Sequence, residues 1–273
     1  MVPHRAPLVS DGSSDVTIHR VSGRLAGEVA LVTGSTSGLG REIARTMAAE
    51  GARVVVTGRD SVRGESVAAS TPGAVFFAAD LTEEAQRASL VQRTVDRFGG
   101  LTILVNNAVA SSGVADGPVT VVDERSWHAI LTVDLVSAAR LAALAIPHML
   151  AVGRGSIVNV SSRAAVRGTP NLAAYTAAKA GLEGLARSIT ADYARRGIRC
   201  NTVRPGYILH EDRDAAMSVE RRAGLEAQHL TRLTTARDVA VAVVFLASHE
   251  AATISGAVLT VDGGSTAVRG LTL

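Results

Sequence analysis

One stretch of the sequence, residues 29–50, restricts most strongly what this chain can fold into. It opens with a short apolar run, which is typical of a strand buried on both faces. It closes with apolar residues at helical spacing, namely Leu39, Ile43 and Met47. Between them lies a turn of glycines and small hydroxyl residues. A strand, a glycine turn and an amphipathic helix in this order predict a dinucleotide-binding unit.

The glycines of the turn suit a bound pyrophosphate in different ways. Gly34 permits a tight turn, Gly38 lets the pyrophosphate approach the backbone, and Gly40 lets the helix pack closely on the strand. The helix N-terminus then offers unpaired N–H groups and partial positive charge. We predict that the whole turn binds the cofactor, through Gly34, Ser35, Thr36, Ser37, Gly38, Leu39 and Gly40.

Composition limits the classes to which the protein can belong. The chain has 273 residues, of which 47% are hydrophobic and 19% charged, as in a soluble globular protein with one α/β domain. Residues 1–22 are predicted to form a flexible arm, and residues 23–273 the cofactor-binding domain. No apolar run reaches the ~20 residues of a spanning helix, so we expect no membrane binding.

Charge and cysteine content narrow the classes further. The lone Cys200 fits a reducing cytoplasm. The net charge is +3 and the arginines are scattered along the sequence, which argues against nucleic-acid binding. No metal site is predicted.

Apolar strands alternate with helices along the chain. This alternation predicts an α/β fold with a parallel sheet and right-handed crossovers. Ligands of such sheets lie at the carboxyl ends of the strands. The polar, arginine-rich residues 207–235 between the last two strands are predicted to form a substrate loop.

The residues after the second strand bear on the choice of cofactor. An acid at the strand end would bind the ribose hydroxyl of NAD, whereas a nearby arginine accommodates the phosphate of NADP. Here Gly58 ends the strand and Arg59 follows, which favours NADP(H). Asp60 is the complication, because it could be the displaced acid and would then favour NAD(H).

Two further strand ends are predicted to contact the cofactor. Asp80 and Leu81 follow the third strand and can meet the adenine, although the same residues also suit a helix cap. Asn107 and Ala108 follow the fourth strand, where an amide side chain can tie neighbouring loops together.

Two long helices are apolar around most of their surface, over residues 126–150 and 172–195. A helix of this kind must be buried on more than one side. We predict that these helices pair with their symmetry mates in a homo-oligomer, a tetramer or a dimer.

Tyr175 and Lys179 lie four residues apart, so both side chains point to the same helix face. Ser162 follows the fifth strand and can converge with them. An ammonium group near a tyrosine favours the phenolate and lowers its pKa from about 10. A serine hydroxyl can hold the substrate oxygen. The three residues therefore predict proton transfer to a carbonyl, with Tyr175 as the acid/base.

These motifs together resemble the short-chain dehydrogenase/reductase (SDR) family over residues 25–264. The resemblance rests on the glycine turn, Asp80-Leu81, Asn106-Asn107-Ala108, Ser162, Tyr175-x-x-x-Lys179, Pro205-Gly206 and Asp262-Gly263-Gly264. It implies a single-domain, Rossmann-like, doubly wound α/β fold with a seven-stranded parallel sheet and helices on both faces. It also implies a tetramer and hydride transfer between NAD(P)(H) and a small-molecule carbonyl or alcohol. Cofactor contacts are further expected at Pro205, Gly206 and Ile208. Tyr175 and Lys179 are also predicted to contact the cofactor, with Lys179 holding its ribose hydroxyls.

Three residues depart from the family pattern. Asp134 stands where the family usually has an asparagine that kinks the long helix and supports the proton relay, so we include Asp134 among the catalytic candidates. Val109 replaces a glycine and is expected to crowd the crevice. His210 stands where a threonine usually contacts the nicotinamide. These departures keep open an alternative function, a catalytically weak nucleotide-binding or sensor protein.

Substrate identity is the least determined property. The chain resembles both the 3-oxoacyl-carrier-protein reductases and the sugar or polyol dehydrogenases. Arg163 and Arg167 follow Ser162 and suit either an anionic substrate or a solvated loop.

Overall fold

The strands are short, and most of their residues are apolar. The computed structural model describes residues 23–110, 114–209 and 214–268. In chain order the strands are β1 (Val29–Val32), β2 (Arg53–Gly58), β3 (Ala74–Ala78), β4 (Ile103–Asn106), β5 (Gly155–Val160), β6 (Ile198–Pro205) and β7 (Val258–Val261). They form one parallel sheet in the order β3-β2-β1-β4-β5-β6-β7. The predicted seven-stranded fold is confirmed.

The helices connect these strands and cover both faces of the sheet. They are α1 (Gly38–Ala49), α2 (Ser61–Ala69), α3 (Glu84–Phe98), α4 (Glu124–Leu131), α5 (Ser137–Val152), α6 (Ala173–Tyr193), α7 (Val219–Glu226) and α8 (Ala236–Ala247). Short 3₁₀ turns follow β5, α6 and α8, at Arg163–Ala165, Ala194–Arg196 and His249–Ala251.

Alternation along β1 divides the core into two layers. Ala30 and Val32 point to the layer formed with α1 and α8, where Ile43 and Val243 are fully buried. Leu31 points to the opposite layer, formed with α3, α5 and α6. Since successive side chains of a strand face opposite sides, a run that is wholly apolar is buried on both faces. This double burial explains why β1 reads as continuous apolar sequence.

The order of the strands also fixes the position of the ligand crevice. From β1 the chain winds outward through β2 to β3, and then returns to place β4 on the other side of β1. The carboxyl ends of β1 and β4 therefore flank the topological switch point, where open α/β sheets bind their ligands. Every candidate catalytic residue either follows a strand that ends at this edge or lies on a helix that packs near it.

The predicted helix over residues 126–150 is observed as one continuous helical segment, Glu124–Val152, interrupted by a π turn at Thr132–Val136. Its start lies two residues earlier than expected because Asp123 caps it by accepting a hydrogen bond from Ser126 N. By length and hydropathy this segment could cross a membrane. Such a signal is equally typical of a core helix, and Leu141, Ala145 and Met149 are fully buried in the core.

Other predicted bounds differ by only a few residues. Helix α6 spans Ala173–Tyr193 within the expected 172–195, and the 3₁₀ turn completes it. The segment predicted to be the substrate loop contains α7, and an isolated bridge joins Ile208 to Thr234 near its ends. The predictions for the arm of residues 1–22 and for His210 lie outside the described residues.

Candidate active site

A cleft of about 990 Å³ lies at the carboxyl edge of the sheet. Its wall includes nearly every residue that the sequence predicts for the site: Gly34, Thr36, Ser37, Gly38, Leu39, Gly40, Arg59, Asp80, Leu81, Asn107, Ala108, Asp134, Ser162, Tyr175, Lys179, Pro205, Gly206 and Ile208. Ser35 is the exception. Its side chain is fully buried, and its hydroxyl donates to Val32 O and accepts from Thr57 N. Ser35 therefore holds the loop to β2 without lining the cleft.

The glycine turn is packed too closely to accept side chains. A Cβ atom at Gly40 would stand 2.2 Å from the Gly34 carbonyl oxygen and 2.5 Å from Asn107 Nδ2. Gly34 and Gly38 have φ angles of +62° and +51°, which are accessible to glycine at little cost. In this turn, backbone atoms therefore occupy the space that side chains would otherwise fill.

The N-terminus of α1 is open toward the cleft. Its N-cap residue, Ser37, makes no side-chain capping hydrogen bond, so the first N–H groups of the helix have no such partner. Ser37 and Gly38 both line the cleft. An uncapped N-terminus beside small residues fits a phosphate group, because its N–H groups and dipole favour an anion.

Thr33 and Asn107 join the ends of β1 and β4 beneath this turn. Thr33 Oγ1 accepts hydrogen bonds from the backbone N–H groups of Asn107 and Ala108, at 2.9 and 3.0 Å. Asn107 Nδ2 donates to the carbonyl oxygens of Thr33 and Gly34. The amide that ties these loops together is as the sequence predicts. Thr33 is an additional functional residue, and its signal in the sequence is a hydroxyl residue directly after the strand.

Arg59 and Asp60 have different surroundings despite being adjacent. Arg59 is exposed and lines the cleft. Asp60 caps α2 by accepting from Arg63 N and pairs with the Arg63 guanidinium, 2.5 Å from Nε. The hydrogen bond from the Arg63 backbone, followed by that from its side chain, lowers the pKa of Asp60. Asp60 is thus committed to its own helix, and Arg59 is the residue presented to a ligand.

Asp80 lines the cleft but does not cap α3, whose N-cap is Glu83. One Asp80 oxygen, Oδ1, accepts from the backbone and hydroxyl of Thr82, and the backbone bond is the main cause of a lowered pKa. Asp80 is therefore held as a carboxylate at the edge of the cleft.

Tyr175 and Lys179 occupy the first turns of α6 and face the cleft with Ser162. The Lys179 ammonium is almost fully buried, donates to Val160 O at 3.1 Å and lies 5.4 Å from the centre of the Tyr175 ring. Ser162 Oγ accepts a hydrogen bond from Ala164 N at 3.2 Å. Because this bond uses a lone pair, the Ser162 hydroxyl hydrogen stays available to donate.

Asp134 lies in the π turn and is buried against the cleft. Its Oδ1 accepts from Ala110 N at 2.6 Å, and its Oδ2 lies 3.7 Å from Lys179 Nζ. That separation makes an ion pair without a direct hydrogen bond. Burial raises the pKa of Asp134, and the charge of Lys179 opposes this rise in part. The position that the sequence singled out as a departure therefore holds a second ionisable group next to Lys179.

Asp116 is a cleft residue that the sequence analysis missed. Its carboxylate accepts hydrogen bonds from Gly117 N and from the first N–H groups of α6, those of Ala174 and Tyr175, at 2.8, 3.2 and 2.9 Å. Leu172, the formal N-cap of α6, has no side chain able to do this. A helix that begins without a capping residue is the signal that could have indicated a cap from elsewhere in the chain.

Val109 also lines the cleft, at 54% exposure. Its backbone does not require the left-handed conformation, because Asn171 is the one non-glycine residue with positive φ in the described part of the chain. The side chain thus stands at the cleft without backbone strain from its φ angle.

Comparison with known proteins agrees with this geometry. The family model described as enoyl-(acyl carrier protein) reductase matches residues 34–266. The chain is 40% identical to cis-4-hydroxycyclohexanecarboxylate dehydrogenase of Sinomonas cyclohexanicum, covering 89% of this chain and 98% of that protein. It is 37% identical to the 3-oxoacyl-[acyl-carrier-protein] reductase FabG of Escherichia coli, covering 87% and 97%.

Among solved structures, the chain is similar to a gluconate 5-dehydrogenase from Burkholderia cenocepacia J2315 in complex with NADP and tartrate. The TM-score is 0.84 at 31% sequence identity, and the match covers 90% of this chain and 98% of that one.

Proposed function

The chain belongs to the short-chain dehydrogenase/reductase family of oxidoreductases, and from this premise we propose that it interconverts a carbonyl compound and a secondary alcohol with NADP(H), using Tyr175 as the acid/base. The observation that carries the proposal is the convergence of Ser162, Tyr175 and Lys179 on one cleft that also contains the open N-terminus of α1. When bound, the nicotinamide supplies or accepts the hydride.

Each of these side chains then has a distinct role. Tyr175 Oη gives a proton to the substrate oxygen during reduction and takes it back during oxidation. Ser162 donates its free hydroxyl hydrogen to the same oxygen and so fixes the position of the substrate. Lys179, held by Val160 O, places its ammonium group beside the Tyr175 ring, 5.4 Å from the ring centre.

The cofactor would be held by the cleft residues already described. The glycine turn and the N-terminus of α1 suit the pyrophosphate, and Asp80 and Leu81 suit the adenine. The remaining cofactor contacts are assigned to Asn107, Ala108, Pro205, Gly206 and Ile208.

Preference for NADP(H) is supported by the exposed Arg59 and by the engagement of Asp60 with Arg63. It is also supported by the similar gluconate dehydrogenase, whose structure contains NADP.

Asp134 is assigned to the proton-transfer system as a positioning residue. Its carboxylate shares the buried surroundings of Lys179, so its charge acts on the lysine and through it on Tyr175. Its second oxygen also fixes Ala110 at the cleft.

We further propose a cytoplasmic homotetramer or homodimer. Support comes from apolar side chains that stay exposed on the outer faces of the helices, such as Val136 and Val152, at 44% and 43%. Size-exclusion chromatography with light scattering at micromolar concentration tests this assembly, and a monomer alone would contradict it.

The deciding experiment titrates the purified protein with NADPH and NADH by nicotinamide fluorescence and then adds ketones. The panel follows the similar proteins: 4-oxocyclohexanecarboxylate, a 3-oxoacyl thioester and 5-ketogluconate. Turnover with NADPH by wild type, reduced by about 10³-fold or more in Tyr175→Phe while NADPH binding is kept, is the expected result. Binding without turnover of any ketone would instead favour the nucleotide-binding or sensor alternative.

A further inference from the structure

Arg163 is the positive charge closest in sequence to the predicted reacting atoms. It directly follows Ser162, begins the 3₁₀ turn and lines the cleft. Its guanidinium donates one hydrogen bond, from Nη1 to the neutral Gln228 Oε1 at 3.2 Å. Across the described ranges, 23–110, 114–209 and 214–268, no carboxylate forms an ion pair with it.

The carboxylates near this end of the cleft are already engaged. Asp116 binds the N–H groups of α6, and Asp134 faces Lys179. Asp262, whose charge acts on Arg163, accepts hydrogen bonds from Gly264, Ser265 and Thr266. Burial and then the charge of Arg167 lower the pKa of Arg163. The half-buried guanidinium thus carries a desolvation cost that an anion in the cleft would offset.

Arg167 is not equivalent to Arg163, although the sequence alone treats them alike. Arg167 is exposed, is absent from the cleft wall and donates to Ser265 O at 3.1 Å. Arg221, from the first turn of α7, does line the cleft and is exposed at its rim. This end of the cleft therefore has one half-buried arginine beside Ser162 and a second, exposed arginine.

Besides the engaged carboxylates of Asp116 and Asp134 and the polar side chains of Thr169 and Tyr207, much of the wall at this end of the cleft is apolar. Its wall includes Ala110, Val114, Ile130, Val133, Leu172 and Leu225. Apolar walls with a few placed polar groups suit a ligand with a hydrocarbon body and a single charged end. The adenosine end of the cleft has its own arginine, Arg59, so Arg163 is not needed for a cofactor phosphate.

We propose that the substrate end of the cleft binds an oxo or hydroxy carboxylic acid with an apolar body, whose carboxylate is held by Arg163 and, at the rim, by Arg221. This inference rests on the proposed oxidoreductase function and names its substrate class. Because guanidinium and carboxylate can pair through two parallel hydrogen bonds, Arg163 would fix the orientation of the ligand as well as its charge.

The test compares an acid with its own neutral ester. Wild type, Arg163→Gln, Arg163→Lys and Arg221→Gln are assayed with 4-oxocyclohexanecarboxylate and 4-oxopentanoate, each against its methyl ester, with NADPH. Arg167→Gln is the matched control, since it removes an equal charge outside the cleft. The quantity compared is the ratio of kcat/KM for the acid to that for the ester. Calorimetry of the same acids with protein, with and without NADP⁺, gives a readout that needs no turnover.

We expect the wild-type ratio to exceed one and to fall about 10- to 100-fold in Arg163→Gln, with partial recovery in Arg163→Lys and a smaller fall in Arg221→Gln. Arg167→Gln should keep the wild-type ratio within about twofold. Calorimetry should show weaker acid binding in Arg163→Gln.

The carboxylate subsite would be overturned if wild type had equal kcat/KM values for acid and ester, or if Arg163→Gln lost kcat/KM equally for both. Either result would leave the oxidoreductase function intact. Failure of every ketone to turn over would oppose the function itself. In that case absence of acid binding by calorimetry would also refute the subsite.

Discussion

The two ends of the cleft are built in different ways. At the cofactor end, backbone groups and small side chains are fixed by hydrogen bonds among β1, β2 and β4, through Ser35, Thr33 and Asn107. At the substrate end, Arg163 is held by one bond to a neutral amide, and the wall is completed by the separate helix α7. The cofactor end is packed too closely to accept larger side chains. At the substrate end, the charge of the side chains decides which ligand can bind.

The largest effect is expected from placing the same methyl group at each end. Gly40→Ala puts a Cβ atom within 2.2 Å of the Gly34 carbonyl oxygen, so the turn must shift. We expect a loss of about 1–3 kcal/mol or more in unfolding free energy and loss of cofactor binding. Gly224→Ala on α7 meets no atom within 4 Å and should be neutral or stabilising by up to ~1 kcal/mol. Thermal melts and NADPH titration are carried out on both variants. Equal stability and equal NADPH binding in the two variants would contradict the difference between the two ends of the cleft.

Asp134→Asn tests the charge that lies between the two ends. Removing a buried negative charge near Lys179 and Tyr175 should favour proton loss from this group of residues. We expect the pH of half-maximal alcohol oxidation to fall, with turnover kept. An unchanged pH profile would mean that Asp134 acts only by holding Ala110.

The same variant makes a prediction about stability. Because the folded state raises the pKa of Asp134, folding favours its neutral form. That contribution is full below the ordinary carboxyl pKa, about 4, and is lost as pH rises through the raised value. The asparagine cannot ionise. The unfolding free energy of the variant relative to wild type should therefore increase from acidic to neutral pH, as denaturant melts would show.

Arg59→Gln examines the far edge of the cofactor end. If Arg59 binds the ribose phosphate, NADPH affinity should fall about 10-fold or more while NADH affinity changes less than about twofold. Fluorescence titration with each nucleotide gives both values, and Arg45→Gln, which removes an exposed charge outside the cleft, serves as the control. Equal losses for the two cofactors would indicate a general electrostatic role.

The smallest effect on cofactor binding is expected for Asp60→Ala. Its carboxylate caps α2 and pairs with Arg63, so the substitution should lower the melting temperature slightly. Both cofactors should keep their affinities within about twofold if Asp60 does not read the ribose. A selective loss of NADH affinity would instead restore Asp60 as the ribose acceptor.

Most of the cofactor end could be predicted from the sequence because it depends on contiguous residues. The run from β1 through α1 combines apolar strand, glycine turn and helix, and local periodicity carries that information. Asp116, by contrast, caps a helix that begins nearly sixty residues later, and Thr33 binds the far end of β4. Such pairings are set by strand order, so sequence spacing gives no direct sign of them.

Sequence alone also determined the parallel sheet and the placing of Ser162, Tyr175 and Lys179 on one edge, since strand ends and helix faces follow from periods of two and 3.6 residues. Only the tertiary structure separated Arg163 from Arg167, turned Ser35 inward, committed Asp60 to Arg63 and set Asp134 beside Lys179. The inward position of Ser35 and the placing of Asp134 beside Lys179 depend on which side chains are desolvated together, whereas the exposed pair of Asp60 and Arg63 follows from the start of α2. Desolvation is a property of the packed surroundings of a residue, and it is invisible in the residue type.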